Sequence, residues 1–301
     1  MHYLSSILQD VPNVIASQKS RLMKSKSKLK DMREPLKRVG RPQVGSSSFD
    51  VGGKQSESPL ITVIIATYNC KDGLVKTLDE LEKQTYKNFE VIVVDGNSQD
   101  GTVGVLKEYD EKISFWISEK DGGIYDAWNK GLRYSLGSWV CFLGAGDYFV
   151  ENGIARYVEE INKSKNTLYV SARSKLYNNT RTIRTIGRKW EWERFRRFMC
   201  VCHAGSMHNI ELFNKYGVFN SRYKVAGDYE LLLRAQKNLD VAFIDDVLVF
   251  MESGGVSDTS ILVFKETAIA KLNHAGLKFI VVAYDALIAY LKWRVRRVLD
   301  K

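Results

Sequence analysis

Three aspartates stand where an apolar run ends or a helix begins: Asp95 closes "FEVIVVD" (89–95), Asp147 follows "SWVCFLGAG", and Asp228 opens "DYELLLRA". Carboxylates in such places can hold a divalent cation, take a proton from a hydroxyl, or accept from a ligand N–H. Each has a plainer reading as a turn or helix-start residue satisfied by nearby backbone amides. The choice between the two rests on what else arrives at the same place.

The elements that carry them alternate. "LITVIIA" (60–66) and "FEVIVVD" are continuous β-branched runs too short for helices, as buried parallel strands are. Between them, Leu74, Leu78 and Leu81 fall at i, i+4 and i+7, one face of a helix. A helix near 101–109, a strand at "ISFWIS" (113–118), a helix at "IYDAWNKGLRYSL" (124–136) and a strand at "SWVCFL" (138–143) continue the series. The alternation predicts a doubly wound α/β sheet, in which ligands bind outside the carboxyl ends of the strands. Four such ends are polar: Ala66-Thr67-Tyr68-Asn69, Asp95-Gly96-Asn97-Ser98, Glu119 to Gly123, and Gly144-Ala145-Gly146-Asp147.

Two nucleotide chemistries are excluded. The first strand releases into "ATYNCKDG", with no GxGxxG, and Gly53-Lys54 is followed by Gln55, with no Walker A loop. Phosphates bound here would need another neutraliser, and a divalent cation (Mg²⁺ or Mn²⁺) on Asp147 is the candidate. Such an ion takes most of its oxygens from a diphosphate and water.

Composition bounds the rest. The chain has 301 residues, 45% of them hydrophobic, and a net charge of +10. Residues 1–58 hold eleven Lys/Arg against five Asp/Glu, and their latter part, rich in Gly, Ser and Pro, reads as a linker. The basic balance alone would suit nucleic acid, an anionic membrane or phosphorylated ligands, but no basic groove interleaved with aromatics supports a nucleic-acid partner. Cys70, Cys141, Cys200 and Cys202, without a secretory n-region and h-region, predict a reducing, cytoplasmic setting. "CVCH" (200–203) lacks the spacing of a zinc knuckle and reads as alternation along a strand.

"PLITVIIATYNCKDGLVKTLDELEKQTYKNFEVIVVDGNSQDGT", "SEKDGGIYDAWNKGLRYSLGSWVCFLGAGDYF" and "VAGDYELLLRA" together resemble the family 2 glycosyltransferases, over roughly residues 59–255. The resemblance is greatest to bacterial enzymes of exopolysaccharide, lipopolysaccharide and glycolipid assembly. It implies a GT-A fold: a Rossmann-like, mostly parallel central sheet flanked by helices. This would span residues 59–256, between the basic extension 1–58 and C-terminal amphipathic helices in 257–301. It further implies inverting transfer of a sugar from a nucleoside diphosphate, with UDP favoured, to a hydroxyl of a glycan or lipid-linked acceptor. Tyr68, with Thr67 beside it, would stack on the nucleotide base, Asp95 would bind the base edge, Asp147 the cation, and Asp228 would be the general base. The acid that relatives often carry just before the last Asp of this motif is Gly146 here, leaving Asp147 alone. Asp121 and Asp126 are weaker candidates for the donor sugar, and His203 for the diphosphate or acceptor. A non-catalytic nucleotide-sugar or anionic-polymer binder that kept the fold is the alternative function.

Trp190 and Trp192 alternate with charges in "GRKWEWERFRRFM", where either acceptor docking or surface packing would use them. From Phe279 to Leu291 the chain is apolar apart from Asp285, then basic. Thirteen such residues are too few to span a bilayer, so this segment is expected to lie on an anionic inner-membrane surface, on the catalytic domain, or on a second subunit.

Overall fold

The computed structural model describes residues 58–178, 181–255 and 260–299. Residues 1–57, which hold nearly all of the expected basic extension, lie outside the described residues.

Strand β1 (Ile61–Thr67) leads through helix α1 (Lys71–Glu82) to β2 (Phe89–Asp95), then through α2 (Thr102–Glu108) to β3 (Phe115–Ser118), and through α3 (Ile124–Tyr134) to β4 (Trp139–Gly144). These four strands run parallel in the order β3-β2-β1-β4. Their apolar runs are continuous because both faces are covered. Ile61, Val63 and Ile65 pack into a core with Leu74, Leu78 and Leu81 of α1. Ile64, Ile92 and Phe142 pack on the other face with Tyr125, Trp128 and Leu132 of α3.

The second half of the sheet adds short antiparallel strands to the expected, mostly parallel pattern. A two-residue strand β5 (Tyr148–Phe149) leads to α4 (Gly153–Lys163), the long β6 (Tyr169–Asn178) and β7 (Arg181–Ile186). A short helix α5 (Trp192–Phe195), β8 (Met207–Asn209), α6 (Ile210–Tyr216), α7 (Gly227–Ala235) and β9 (Val241–Glu252) follow. β8 is antiparallel to both β4 and β6, β9 is parallel to β6, and β5 is antiparallel to β9. β5 and β8 are two and three residues long, too short for an alternation to register in sequence. By this ladder β4, β6 and β9 all point one way, so the end of β9 reaches the same edge of the sheet as the end of β4.

The C-terminal segment forms α8 (Leu262–His274) and α9 (Phe279–Leu299). No helix among the described residues is long and apolar enough to cross a membrane. "CVCH" is not a strand: Cys200 to His203 form an irregular, buried segment ahead of β8, its conformation set by burial rather than by ladder pairing.

Candidate active site

Register places the strand ends side by side. Thr67 pairs with Asp95, Asp95 with Ser118, and Ala66 with Gly144, so the expected polar tips share one edge. Tyr68 stands there 64% exposed, a free phenol face just beyond β1. A side chain at position 96 would sit 2.9 Å from Asp121 Oδ2 and 3.2 Å from Tyr68 Cδ2, so Gly96 lets the Tyr68 ring and Asp121 close over the β2 tip. Thr67 is buried, and its hydroxyl has no partner among the described residues.

Asp95 is fully buried beneath this cluster. Its carboxylate accepts from the Ser98 amide (3.0 Å), from the Ser98 hydroxyl and from the Ser118 hydroxyl (2.6 Å). It holds the turn after β2, the plainer of its two readings, and with no exposed surface it presents no edge to a base in this form of the molecule. Asp121 and Asp126 also work on local backbone: Asp121 Oδ1 accepts from the Gly123 amide (2.8 Å) and Asp126 Oδ2 from the Gly122 amide (2.9 Å). Both remain partly exposed, and Asp121 shares the surroundings of Gly96 with Tyr68.

Asp147 sits in the tight connection between β4 and β5, partly exposed, with its carboxylate turned toward backbone. Oδ2 accepts from the Gly144 amide (3.1 Å) and Oδ1 from the Glu252 amide (3.0 Å). Thr77 of α1 locks the loop, donating to the Asp147 carbonyl (2.9 Å) and accepting from the Gly146 amide (2.9 Å). Burial pushes the Asp147 carboxyl up to about 7, and the nearby Glu252 carboxylate adds to the rise. A carboxylate that burial makes harder to ionise gains from a neighbouring positive charge. Among the described residues no group of three or more His, Cys, Asp or Glu is gathered as a self-sufficient metal cage. Asp147 suits a hard cation whose other ligands come from a diphosphate and water.

Asp228 lies in the first turn of α7. Its Oδ1 accepts from the Tyr125 hydroxyl at 3.0 Å, which fixes the carboxylate's direction, while burial raises its pKa. The loop leading into α7 is held from the C-terminal segment. Glu266 of α8, itself buried, accepts from the amides of Lys224 (2.9 Å), Val225 (2.8 Å) and Ala226 (2.9 Å). Asp147 and Asp228 both lie within electrostatic reach of the buried Cys202, whose thiol burial pushes up to about 12.

His203 does not stand open to the crevice. It is 6% exposed, stacked on Trp128 (5.1 Å between ring centres) and Phe142 (5.7 Å), with neither ring nitrogen partnered among the described residues. Burial lowers its pKa to about 3, so it is neutral. Trp190 packs against Phe195 at 4.0 Å and Trp192 begins α5; both are partly buried against the core. Sequence reading missed Tyr125, Glu252 and Glu266. Tyr125 was visible only as an aromatic on a helix face, and nothing in the spacing of the glutamates ties them to residues 40 or 105 positions away.

A curled α/β sheet whose parallel half ends in a polar edge, with a carboxylate loop after the fourth strand, is the GT-A fold. TarS from S. aureus in complex with UDP-GlcNAc superposes with a TM-score of 0.59 at 19% identity, over 75% of this chain and 70% of that one. Mannosyltransferase PcManGT from Pyrobaculum calidifontis, in complex with GDP-Man and Mn²⁺, gives 0.51 at 20% identity, over 76% and 65%. In sequence, a PGL/p-HBAD biosynthesis glycosyltransferase of Mycobacterium tuberculosis is 28% identical over 213 residues, 67% of this chain and 80% of that one. Glycosyl transferase family 2 matches residues 62–211, a stretch that contains Tyr68, Asp95, Asp147 and His203 and stops before Asp228. The chain belongs to glycosyl transferase family 2 and is a glycosyltransferase.

Proposed function

We propose that the protein transfers a sugar, with inversion, from a nucleoside diphosphate sugar to a hydroxyl of a glycan or lipid-linked acceptor. What supports this reading is an exposed aromatic platform at Tyr68 and a carboxylate loop at Asp147, each just beyond a parallel strand, with a second carboxylate, Asp228, oriented by Tyr125 at the start of α3. A binder that had merely kept the fold has no use for a separately oriented, pKa-raised Asp228.

In this reading the donor's base stacks on Tyr68, with the unpartnered Thr67 hydroxyl and Asp121 beside it. Asp95 acts by holding the turn rather than by touching the base. Asp147 would hold Mg²⁺ or Mn²⁺, which when bound neutralises charge on the diphosphate. Asp228 Oδ accepts the acceptor hydroxyl's proton as that oxygen attacks the anomeric carbon. The bond from that carbon to the diphosphate oxygen breaks, and the electron pair leaves with the nucleoside diphosphate. Tyr125 keeps the carboxylate aimed and, by donating to it, favours its charged form.

UDP is favoured as carrier, in keeping with the TarS complex; the PcManGT complex makes GDP the competitor. The test is nucleoside diphosphate release from a panel of UDP- and GDP-sugars with Mn²⁺, water serving as acceptor. Wild type turns over at least one donor. Asp228→Asn loses turnover by about 10²-fold or more while nucleotide affinity is unchanged. Equal turnover in the variant would remove Asp228 as the base.

A further inference from the structure

The loop "GAGD" brings one carboxylate, Asp147, to a place where a doubly charged ion and a diphosphate would meet, and position 146 offers none. The missing group has a neighbour across the sheet. β5 and β9 are antiparallel, with Phe149 opposite Val249 and Tyr148 opposite Phe250. Carrying the register on by two residues sets Gly146 opposite Glu252, and directly opposed residues on one face lie within reach of each other. The Glu252 amide does donate to Asp147 Oδ1, at 3.0 Å.

Gly146 has φ +103°, in the left-handed region where side chains are disfavoured, and a Cβ built on it would overlap Glu252 Oε2. The Glu252 carboxylate therefore occupies the volume that a side chain at 146 would fill. Its backbone is fixed: Glu252 pairs with Tyr177 of β6, the Ser253 amide donates to the Tyr177 carbonyl (2.8 Å), and the Tyr177 hydroxyl donates to the Gly146 carbonyl (2.7 Å). The side chain is exposed, and its carboxylate makes no hydrogen bond or ion pair among the described residues. Two carboxylates set side by side with no cation between them repel, so this pairing is unfavourable until a positive charge joins it.

Resting on the reading above, we infer that Glu252 supplies the second carboxylate of the cation site, from the end of β9, in place of residue 146. The acid is displaced 106 positions along the chain and returned to the same point by strand pairing.

The test is a titration of Mn²⁺ alone into the full-length protein, read from the loss of the free Mn²⁺ electron paramagnetic resonance signal, for wild type, D147N and E252Q. Wild type binds Mn²⁺, D147N does not, and E252Q binds it more weakly by about tenfold or more. Melting in EDTA checks the fold. There E252Q unfolds at or above the wild-type temperature, because a like charge beside Asp147 has been removed. E252Q titrating like wild type would overturn the inference and leave the catalytic reading standing. A wild type that takes up no Mn²⁺ would overturn the cation site itself, and the inference with it.

Discussion

Asp228 and Asp147 are the same residue type in opposite electrostatic company. Asp228 has the Tyr229 amide and a phenol donating to it, whereas Asp147 has backbone amides and a second carboxylate as neighbours. Burial raises both pKa values above the ordinary 3.8. For a base this sets the acid limb of the rate: activity falls as pH drops through the raised value, because the protonated carboxyl cannot accept. The Tyr125 hydroxyl opposes that rise by stabilising the charged form. Tyr125→Phe keeps the ring that packs against Trp128 and Phe219 and removes only the donor. The acid limb of kcat is expected to move to higher pH, with turnover near neutrality reduced less than turnover in acid. An unchanged pH profile would show that Tyr125 does not tune the base. At this scale the sequence was legible where a carboxylate ends an apolar run, and silent where a partner comes from elsewhere. Asp147 was singled out by its place after an apolar run and Asp228 by the family resemblance, whereas the phenol that orients Asp228 looked like one more buried aromatic.

At the scale of elements, long apolar runs were readable because parallel strands covered on both faces leave no alternation to misjudge. β1, β2 and β4 lie within a residue of the expected runs. The second half of the sheet was not readable. β8 and β5 are too short to carry a pattern, and β6 and β9 mix exposed charges such as Asp245 and Asp246 with buried positions. The expected boundary at residue 257 also cuts through a working contact, since Glu266 lies beyond it and holds the loop before Asp228. Glu266→Ala would leave three amides, two of them buried, without this acceptor, at a cost of roughly 2–4 kcal/mol and a matching drop in the denaturation midpoint. Glu266→Gln, which keeps an acceptor oxygen, should recover part of that loss and of the turnover. Equal midpoints for wild type and Glu266→Ala would show that the C-terminal segment does not brace the active-site loop.

Across the whole molecule, the C-terminal helices have two faces with different tasks. On the inner side of α9, Asp285 is fully buried, bonded to Arg197 (Nη2–Oδ1 2.5 Å) and to Lys271 (3.5 Å), which ties the helix to the body of the enzyme. On the outer side Ile280, Tyr284, Leu287, Leu291 and Val295 form an exposed stripe at helical spacing, with Lys292 and Arg294 exposed at its basic end. Such a face suits the surface of an anionic bilayer, where a lipid-linked acceptor would be presented. The full-length protein should sediment with phosphatidylglycerol-containing vesicles more than with phosphatidylcholine alone, less so at high salt, and Leu287→Asp with Leu291→Asp should release it without loss of donor turnover. Vesicle binding unaffected by the pair would assign the stripe elsewhere. The central claim, however, concerns one edge of one sheet, and a crystal structure with UDP-sugar and Mn²⁺ tests it most directly. The account predicts the base against Tyr68, the ion between Asp147 and the diphosphate, and the anomeric carbon facing Asp228. A donor bound away from that edge, or with its anomeric carbon turned from Asp228, would contradict it.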